Sequence, residues 1–359
     1  MQNEKYGNSL TSEDAKTIIK NLGVLVEHFS GKKVLITGYR GFLGANFLSF
    51  FYHLKEELNE KVKIYCIDNL IVDLEDVTKD FIQEANIIHG NCLDVIPDEK
   101  FDYIIHCAGI ASPTFYRKHP LETIKVNAIE YWELLDKINL TNLKGFLYFS
   151  TSEIYGDPNP KFIPTDEDYR GNVSCIGPRA CYDESKRLGE TISVSIYQEK
   201  KIPIKIVRPF NVYGPFMRKE DKRVIPDFLK VGLEEKKIIL HSDGTPTRAF
   251  CYVSDAVEGF LRVLLIGKPA RPYNIGNDKT EISMKNMAQL ISELLGNIKL
   301  EFKTSNQKDY LTDNPQKRCP VILRAKKEVH YQPQIDIKKG LERMIKWYKE
   351  KYFYKEFDL

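Results

Sequence analysis

The chain has 359 residues, 42% of them hydrophobic, with 53 basic and 50 acidic side chains and a formal net charge of +3. This is enough apolar material for a full core split between two lobes, and the absence of any block of about five like charges argues against a nucleic-acid arm. Apolar runs are strand-sized, far short of the ~20 residues of a membrane span, and Met1-Gln2-Asn3-Glu4-Lys5 opens without an apolar leader.

Cysteines stand at positions 66, 92, 107, 175, 181, 251 and 319, with no CxxC pair among them. Neither a disulfide framework nor a metal site is expected from that pattern, and a reducing cytoplasm fits best.

In chain order, residues 11–29 read as an amphipathic helix. Ile18, Ile19, Leu22, Leu25 and Val26 recur at helical spacing, and Thr11 or Ser12 is the expected cap. Next comes the short run Lys33-Val34-Leu35-Ile36-Thr37, read as a strand that ends in glycines. In Gly38-Tyr39-Arg40-Gly41-Phe42-Leu43-Gly44 the glycines permit a tight turn and close approach to a pyrophosphate at a helix N-terminus. The helix is expected over 42–58.

A second strand is read at Lys63 to Asp68. Asp68 stands 24 residues after Gly44, where a carboxylate meets the adenosine ribose of a bound dinucleotide. A carboxylate there accepts from both ribose hydroxyls and repels a 2′-phosphate, so NAD is expected over NADP; Arg40 in the loop acts against that preference. Phe42 and Leu43 in the loop, and Asn69 beside Asp68, are counted with the cofactor contacts.

Further strands are read at Asn86 to His89, Phe101 to His106, Gly145 to Phe149 and Ile204 to Arg208, with helices at 120–139 and 179–199 between the last of them. Short apolar strands alternating with helices imply an α/β fold with a doubly wound parallel sheet, the Rossmann arrangement. After Pro209 the pattern loosens into loops and short helices. The expected organisation is a helical extension at 1–30 and a dinucleotide-binding domain at 31–210, with segments returning near 251–276. A smaller C-terminal lobe, from 211–250 and 277–359, is expected to bind substrate.

The chemistry concentrates in Ser150-Thr151-Ser152-Glu153-Ile154-Tyr155-Gly156 and in Gly177 to Lys186. Tyr182 and Lys186 lie four apart on a predicted helix and share one face. An ammonium beside a phenol stabilises phenolate and is expected to lower the tyrosine pKa from about 10. Tyr182 can then take a proton from a substrate hydroxyl as hydride leaves.

Together these features resemble the extended, nucleotide-sugar-modifying branch of the short-chain dehydrogenase/reductase superfamily, over roughly residues 31–345. The resemblance implies that Thr151 hydrogen-bonds the hydroxyl being oxidised and that Tyr182 and Lys186 also contact NAD. By the same resemblance Asn127 supports the site, Asn211 meets the substrate diphosphate, and Arg223 and Arg318 engage the sugar nucleotide.

Within the branch, sugar 4,6-dehydratases carry Asp-Glu after the threonine, to protonate a departing hydroxyl. Here Ser152-Glu153 follows, and a serine is too weak an acid for that step. The pair is similar to UDP-glucuronate decarboxylases, as are Ala111-Ser112-Pro113 and Thr247 to Asp255. That resemblance implies C4 oxidation, loss of carbon dioxide from the β-keto acid, and C4 re-reduction. Arg248 and Glu153 then manage the carboxylate and the C5 proton. It also implies a homodimer through a four-helix bundle from 120–139 and 179–199, with Trp132, Leu134, Leu135, Ile192, Val194 and Ile196 as the apolar positions.

Three positions depart from the decarboxylase pattern: Phe216 replaces an arginine, with Arg218 two residues on; His241-Ser242 replaces a tyrosine-glycine pair; and Asn91 replaces an aspartate. Other readings are a 4,6-dehydratase or C4-epimerase, a decarboxylase that releases the 4-keto pentose, and a non-catalytic sensor.

Overall fold

The computed structural model describes residues 7–70, 78–303 and 315–353. It begins with α1 (Gly7–Leu22), continued by a 3₁₀ turn over Gly23–Phe29. The helix starts earlier than its apolar spacing indicates. Thr11 therefore lies inside it and is buried, so neither Thr11 nor Ser12 caps it. Gly23 ends the α-helical part at φ +54°, a left-handed conformation that glycine adopts without a Cβ clash.

The strands β1 (Lys33–Thr37), β2 (Lys63–Asp68), β3 (Asn86–His89), β4 (Tyr103–His106), β5 (Gly145–Phe149) and β6 (Ile204–Pro209) follow their predicted positions closely, though β4 begins two residues late. Every residue of β4 and β5 is buried, as continuous apolar strands covered on both faces require. Between them run α2 (Phe42–Leu54), which ends short of residue 58, α3 (Cys92–Val95), α4 (Pro113–Lys118), α5 (Pro120–Ile124), α6 (Glu130–Lys137) and α7 (Ala180–Lys200). A π-helical turn, Lys125–Ile129, joins α5 to α6 and carries Asn127.

Beyond β6 the chain forms β7 (Val212–Tyr213), α8 (Val224–Glu235), β8 (Lys237–Leu240), β9 (Thr247–Ala249), β10 (Cys251–Tyr252) and α9 (Val253–Ile266). Then come β11 (Pro272–Ile275), β12 (Glu281–Ser283), α10 (Met284–Leu294), β13 (Lys299–Phe302), β14 (Lys317–Arg318), α11 (Leu323–Val329) and α12 (Ile337–Tyr348). β11 returns to the main sheet, whose seven strands run β11-β6-β5-β4-β1-β2-β3. Each neighbouring pair is parallel. Chain order reverses between β4 and β1, and a crevice opens there at the carboxyl ends of the strands, where such sheets bind ligands.

One face of the sheet is covered by α1, α2 and α9, with Phe29 packed edge-on at 5.1 Å against both Phe51 and Tyr103. The other face carries α6 and α7, with Tyr131, Leu134, Leu135 and Ile196 in the core beside Phe146 and Ile206. Leu134, Leu135 and Ile196 therefore serve the subunit's own core and are unavailable to a bundle. On this side the exposed apolar side chains are Leu121 of α5, Ile129 of the π-helical turn, Trp132 of α6 and Leu188 of α7.

Polar contacts lock α1 onto α9 and α12. Tyr252 donates to Asp14 at 2.8 Å, Arg343 donates to the same carboxylate at 2.8 Å, and Asn21 donates to Glu258 at 2.8 Å. Among the described residues, no helix is long and apolar enough to cross a membrane.

Candidate active site

The dinucleotide end of the crevice is shaped by close backbone packing. Gly38 has φ +68°, and a Cβ there would fall 2.7 Å from the Ala108 amide nitrogen; one on Gly44 would lie 2.2 Å from Gly38 O. Only glycine fits either place, so the turn runs close under the N-terminus of α2, where backbone N–H groups and the helix dipole favour a phosphate. Phe42 and Leu43 open that helix and pack against the core, and the Arg223 guanidinium lies 5.6 Å from the Phe42 ring centre.

At the end of β2, Asp68 accepts from the Arg40 amide at 3.1 Å and from the Leu70 amide at 3.0 Å. Each oxygen keeps a lone pair for a ribose hydroxyl. Asn69 lies exposed beside it.

Two of the departures from the family pattern, Phe216 and Asn91, have local explanations. Phe216 is buried with its ring 5.9 Å from Phe81 and 5.8 Å from Trp347, an apolar place unsuited to arginine. Arg218 instead reaches the dinucleotide loop and donates to Arg40 O at 3.1 Å. Asn91 caps α3 by accepting from Leu93 N at 2.9 Å, and donates to Glu130 at 3.1 Å. An aspartate in its place would set two carboxylates face to face.

Thr151 follows β5, accepts from Glu153 N at 3.2 Å, and its hydroxyl is hydrogen-bonded to that of Tyr182. Tyr182 and Lys186 share the inner face of α7, and both are buried. Lys186 donates to Phe149 O at 2.9 Å. The pKa expectation needs correction. Burial pushes the Tyr182 hydroxyl up to about 12 against the pull of Thr151, while burial lowers Lys186 to about 8. In both groups burial is the largest cause, because it disfavours the charged form.

Asn127 donates to Ser185 Oγ at 3.3 Å, and its Oδ1 is buried without a hydrogen-bond partner. A Cβ on Gly109 would lie 2.8 Å from that oxygen and 3.6 Å from Lys186 Nζ, so the glycine leaves room beside both groups. The glycine turn, the Asp68 carboxylate and this open acceptor near Lys186 fit NAD.

A second cluster surrounds Glu153. Arg318 forms a fork with its carboxylate, one arm at 2.7 Å, and Arg179 makes a further ion pair with it. Parallel pairing of β14 with β9 sets Arg318 opposite Arg248, which donates to Thr247 O at 2.7 Å. Burial raises the Glu153 pKa, but Arg318 and Arg179 more than offset it and hold the group down to about 2. Burial and the neighbouring Arg318 lower Arg248 to about 9. Ser152 is buried next to this cluster. Asp183 also pairs with Arg179, at 3.7 Å, so three arginines against two carboxylates leave one positive charge, enough for a substrate carboxylate.

Two of these neighbours have no assigned role in the sequence reading. Arg179 lies within the quoted run but carried no separate signal. Tyr116 stacks on Tyr182 at 5.0 Å and 9°, with the Arg179 guanidinium 5.9 Å from its ring. Two residues are tied up within the protein. Asn211, at φ +41°, donates to Ala249 O at 3.2 Å, and Arg223 forks onto Asp221.

Because Glu153 ionises below its ordinary 4.5, its pairs stabilise the fold fully above that pH and progressively less as pH falls towards about 2. Glu153→Gln is therefore expected to melt lower than the parent at neutral pH, with the gap closing in acid. Melting curves between pH 7 and 3 check this, and a gap constant with pH would contradict it.

A model described as the NAD dependent epimerase/dehydratase family matches residues 34–276. UDP-glucuronic acid decarboxylase 5 of Arabidopsis thaliana is 36% identical over 319 residues, covering 88% of this chain and 89% of that protein. UDP-glucuronic acid decarboxylase 1 of Xenopus tropicalis is 33% identical, covering 89% and 72%. Among solved structures, an epimerase from Methanothermobacter thermautotrophicus aligns with a TM-score of 0.80 at 25% identity, over 92% of this chain and 96% of that one. A dTDP-glucose 4,6-dehydratase from Streptomyces venezuelae, at 20% identity, aligns with a TM-score of 0.76 over 89% and 97% and shares the fold. The glycine turn, the parallel sheet and identities of this extent place the chain in the NAD dependent epimerase/dehydratase family.

Proposed function

We propose that this chain is an NAD-dependent decarboxylase that converts UDP-glucuronate to UDP-xylose. The observation that carries the reading is the state of Glu153. A carboxylate held ionised by Arg179 and Arg318 is no acid for expelling a sugar hydroxyl, which disfavours the 4,6-dehydratase. The same arginines, with Arg248, suit a substrate that brings its own carboxylate. The decarboxylase names of relatives covering most of the chain support this choice.

NAD, which the glycine turn at Gly38, Gly41 and Gly44 and the Asp68 carboxylate would hold, would supply a reversible hydride acceptor for C4. Thr151 orients the C4 hydroxyl, and Tyr182 takes its proton, with the Lys186 ammonium stabilising the phenolate. The resulting C4 ketone lies β to the carboxylate. The C5–C6 bond then breaks, its electron pair passes into an enolate, and carbon dioxide departs. Arg248 and Arg318 stabilise the enolate charge, and C5 takes its proton from a solvent water that Ser152 and the ionised Glu153 orient. Tyr182 finally returns its proton to the C4 oxygen.

Arg223 and Asn211 are assigned to the diphosphate, Asn127 to support of the site, and Asp68 and Asn69 to the cofactor ribose. Residues 31–210 with 251–276 form the NAD-binding part, and 211–250 with 277–359 the sugar-nucleotide lobe. The exposed Leu121, Ile129, Trp132 and Leu188 support a homodimer through α5 to α7, and the free cysteines suit a reducing cytoplasm.

Incubation with UDP-glucuronate and catalytic NAD is expected to yield a product lighter by one carbon dioxide, with no stoichiometric NADH. A product lighter by one water would indicate the dehydratase. Carbon dioxide release with accumulating NADH would indicate release of the 4-keto pentose.

A further inference from the structure

Beneath Glu153 lies a buried polar network that the reaction as described does not use. It spans the carboxyl ends of three adjacent strands, β5, β6 and β11. Arg208 on β6 forks onto Glu190 of α7 at 2.8 and 2.6 Å, and its remaining arm donates to Tyr155 OH at 2.8 Å and Glu167 O at 2.9 Å. Glu190 also accepts from Ser150 at 2.5 Å. Tyr155 in turn donates to Asn274 Oδ1 of β11 at 2.7 Å, and Asn274 donates to Thr165 O and Val321 O, both at 3.0 Å.

The two arms of this network bear on different parts of the site. Through Ser150 and Glu190, one arm ties the end of β5 to α7, the helix of Tyr182 and Lys186. The other arm runs through Tyr155 and Asn274. Tyr155 closes the 3₁₀ turn Ser152–Tyr155 that presents Glu153. Val321 and Cys319 belong to the segment that follows Arg318, and that segment is bonded to Thr165 on both sides, Thr165 N to Cys319 O and Val321 N to Thr165 O, each at 2.8 Å. Asn274 therefore sits where the supports of Glu153 and Arg318 converge. Tyr155 is 1% exposed and Asn274 fully buried, so neither meets substrate.

We propose that Tyr155 and Asn274 are positioning residues for carbon–carbon cleavage: through the backbone they hold Glu153 and Arg318 in register, and their own side-chain bonds go to Arg208, Thr165, Val321 and each other, with none to Thr151, Tyr182 or Lys186. This rests on the decarboxylase reading above. A fully satisfied buried network fixes one arrangement, and an angstrom of slack at reacting groups is costly.

The test is a single turnover of UDP-glucuronate by enzyme loaded with NAD, following NADH absorbance for C4 oxidation and released carbon dioxide for cleavage. Tyr155→Phe removes the hydroxyl that joins Arg208 to Asn274. Asn274→Asp keeps the acceptor for Tyr155 and removes the N–H bonds to Val321 O, in the segment after Arg318, and to Thr165 O, which is itself bonded to that segment. In each variant NADH should form within about 2-fold of the parent rate while carbon dioxide release slows by about 10- to 100-fold, so that NADH persists.

Lys205→Met serves as the structural control. Lys205 is buried on β6 and donates to Gly267 O, away from the site, so its loss should lower the melting temperature without changing the ratio of the two rates. Equal slowing of both steps, no slowing of either, or failure of both variants to fold would assign the network to stability alone and overturn the proposal. Absence of carbon dioxide from the parent enzyme would instead sink the decarboxylase reading.

Discussion

Tyr182→Phe is expected to lower turnover of UDP-glucuronate by about 10²- to 10⁴-fold, the usual worth of a positioned acid–base group. The ring is buried and stacks on Tyr116 at 5.0 Å, and phenylalanine preserves both features, so fold and NAD affinity should survive. What disappears is the hydroxyl to which the proposed mechanism assigns proton exchange with the C4 oxygen. Burial raises the pKa of that hydroxyl to about 12 in the free protein, so it is protonated at neutral pH. Steady-state rates beside an NAD-binding titration check this. Activity within ten-fold of the parent, with NAD still bound, would remove Tyr182 from the role of base.

Truncation that removes α1, so that the chain starts at Gly23, is expected to abolish a stable fold. Leu10, Ile18 and Leu22 are each at most 4% exposed, and burial of such side chains is worth roughly 1.5–3 kcal/mol apiece. The truncation also strips Asp14 from Tyr252 and Arg343, and Asn21 from Glu258. Unpaired buried polar groups add about 1–3 kcal/mol each. The sum matches the roughly 5–15 kcal/mol of a whole domain. Thermal melts followed by circular dichroism read the result, and a truncated protein melting with the parent would show that α1 is an accessory.

The sequence by itself determined what depends on neighbours in the chain. The strand positions followed from runs such as Val34-Leu35-Ile36, because an inner parallel strand must be apolar on both faces. The turn at Gly38 and Gly44, the carboxylate at Asp68 and the shared helical face of Tyr182 and Lys186 were legible because spacing along a strand, turn or helix sets geometry directly.

Tertiary structure decided whatever depends on residues far apart in the chain. Arg318 meets Arg248 only through the pairing of β14 with β9, and Arg179 reaches Glu153 only because α7 packs over the end of β5. The start of α1 and the burial of Leu134, Leu135 and Ile196 likewise depended on which surfaces the folded chain covers. The upward shift of Tyr182 has the same origin, since a local pattern shows the ammonium nearby but not the water removed around the phenol. Desolvation is a property of the whole packed site, so it could be read only once the chain had folded.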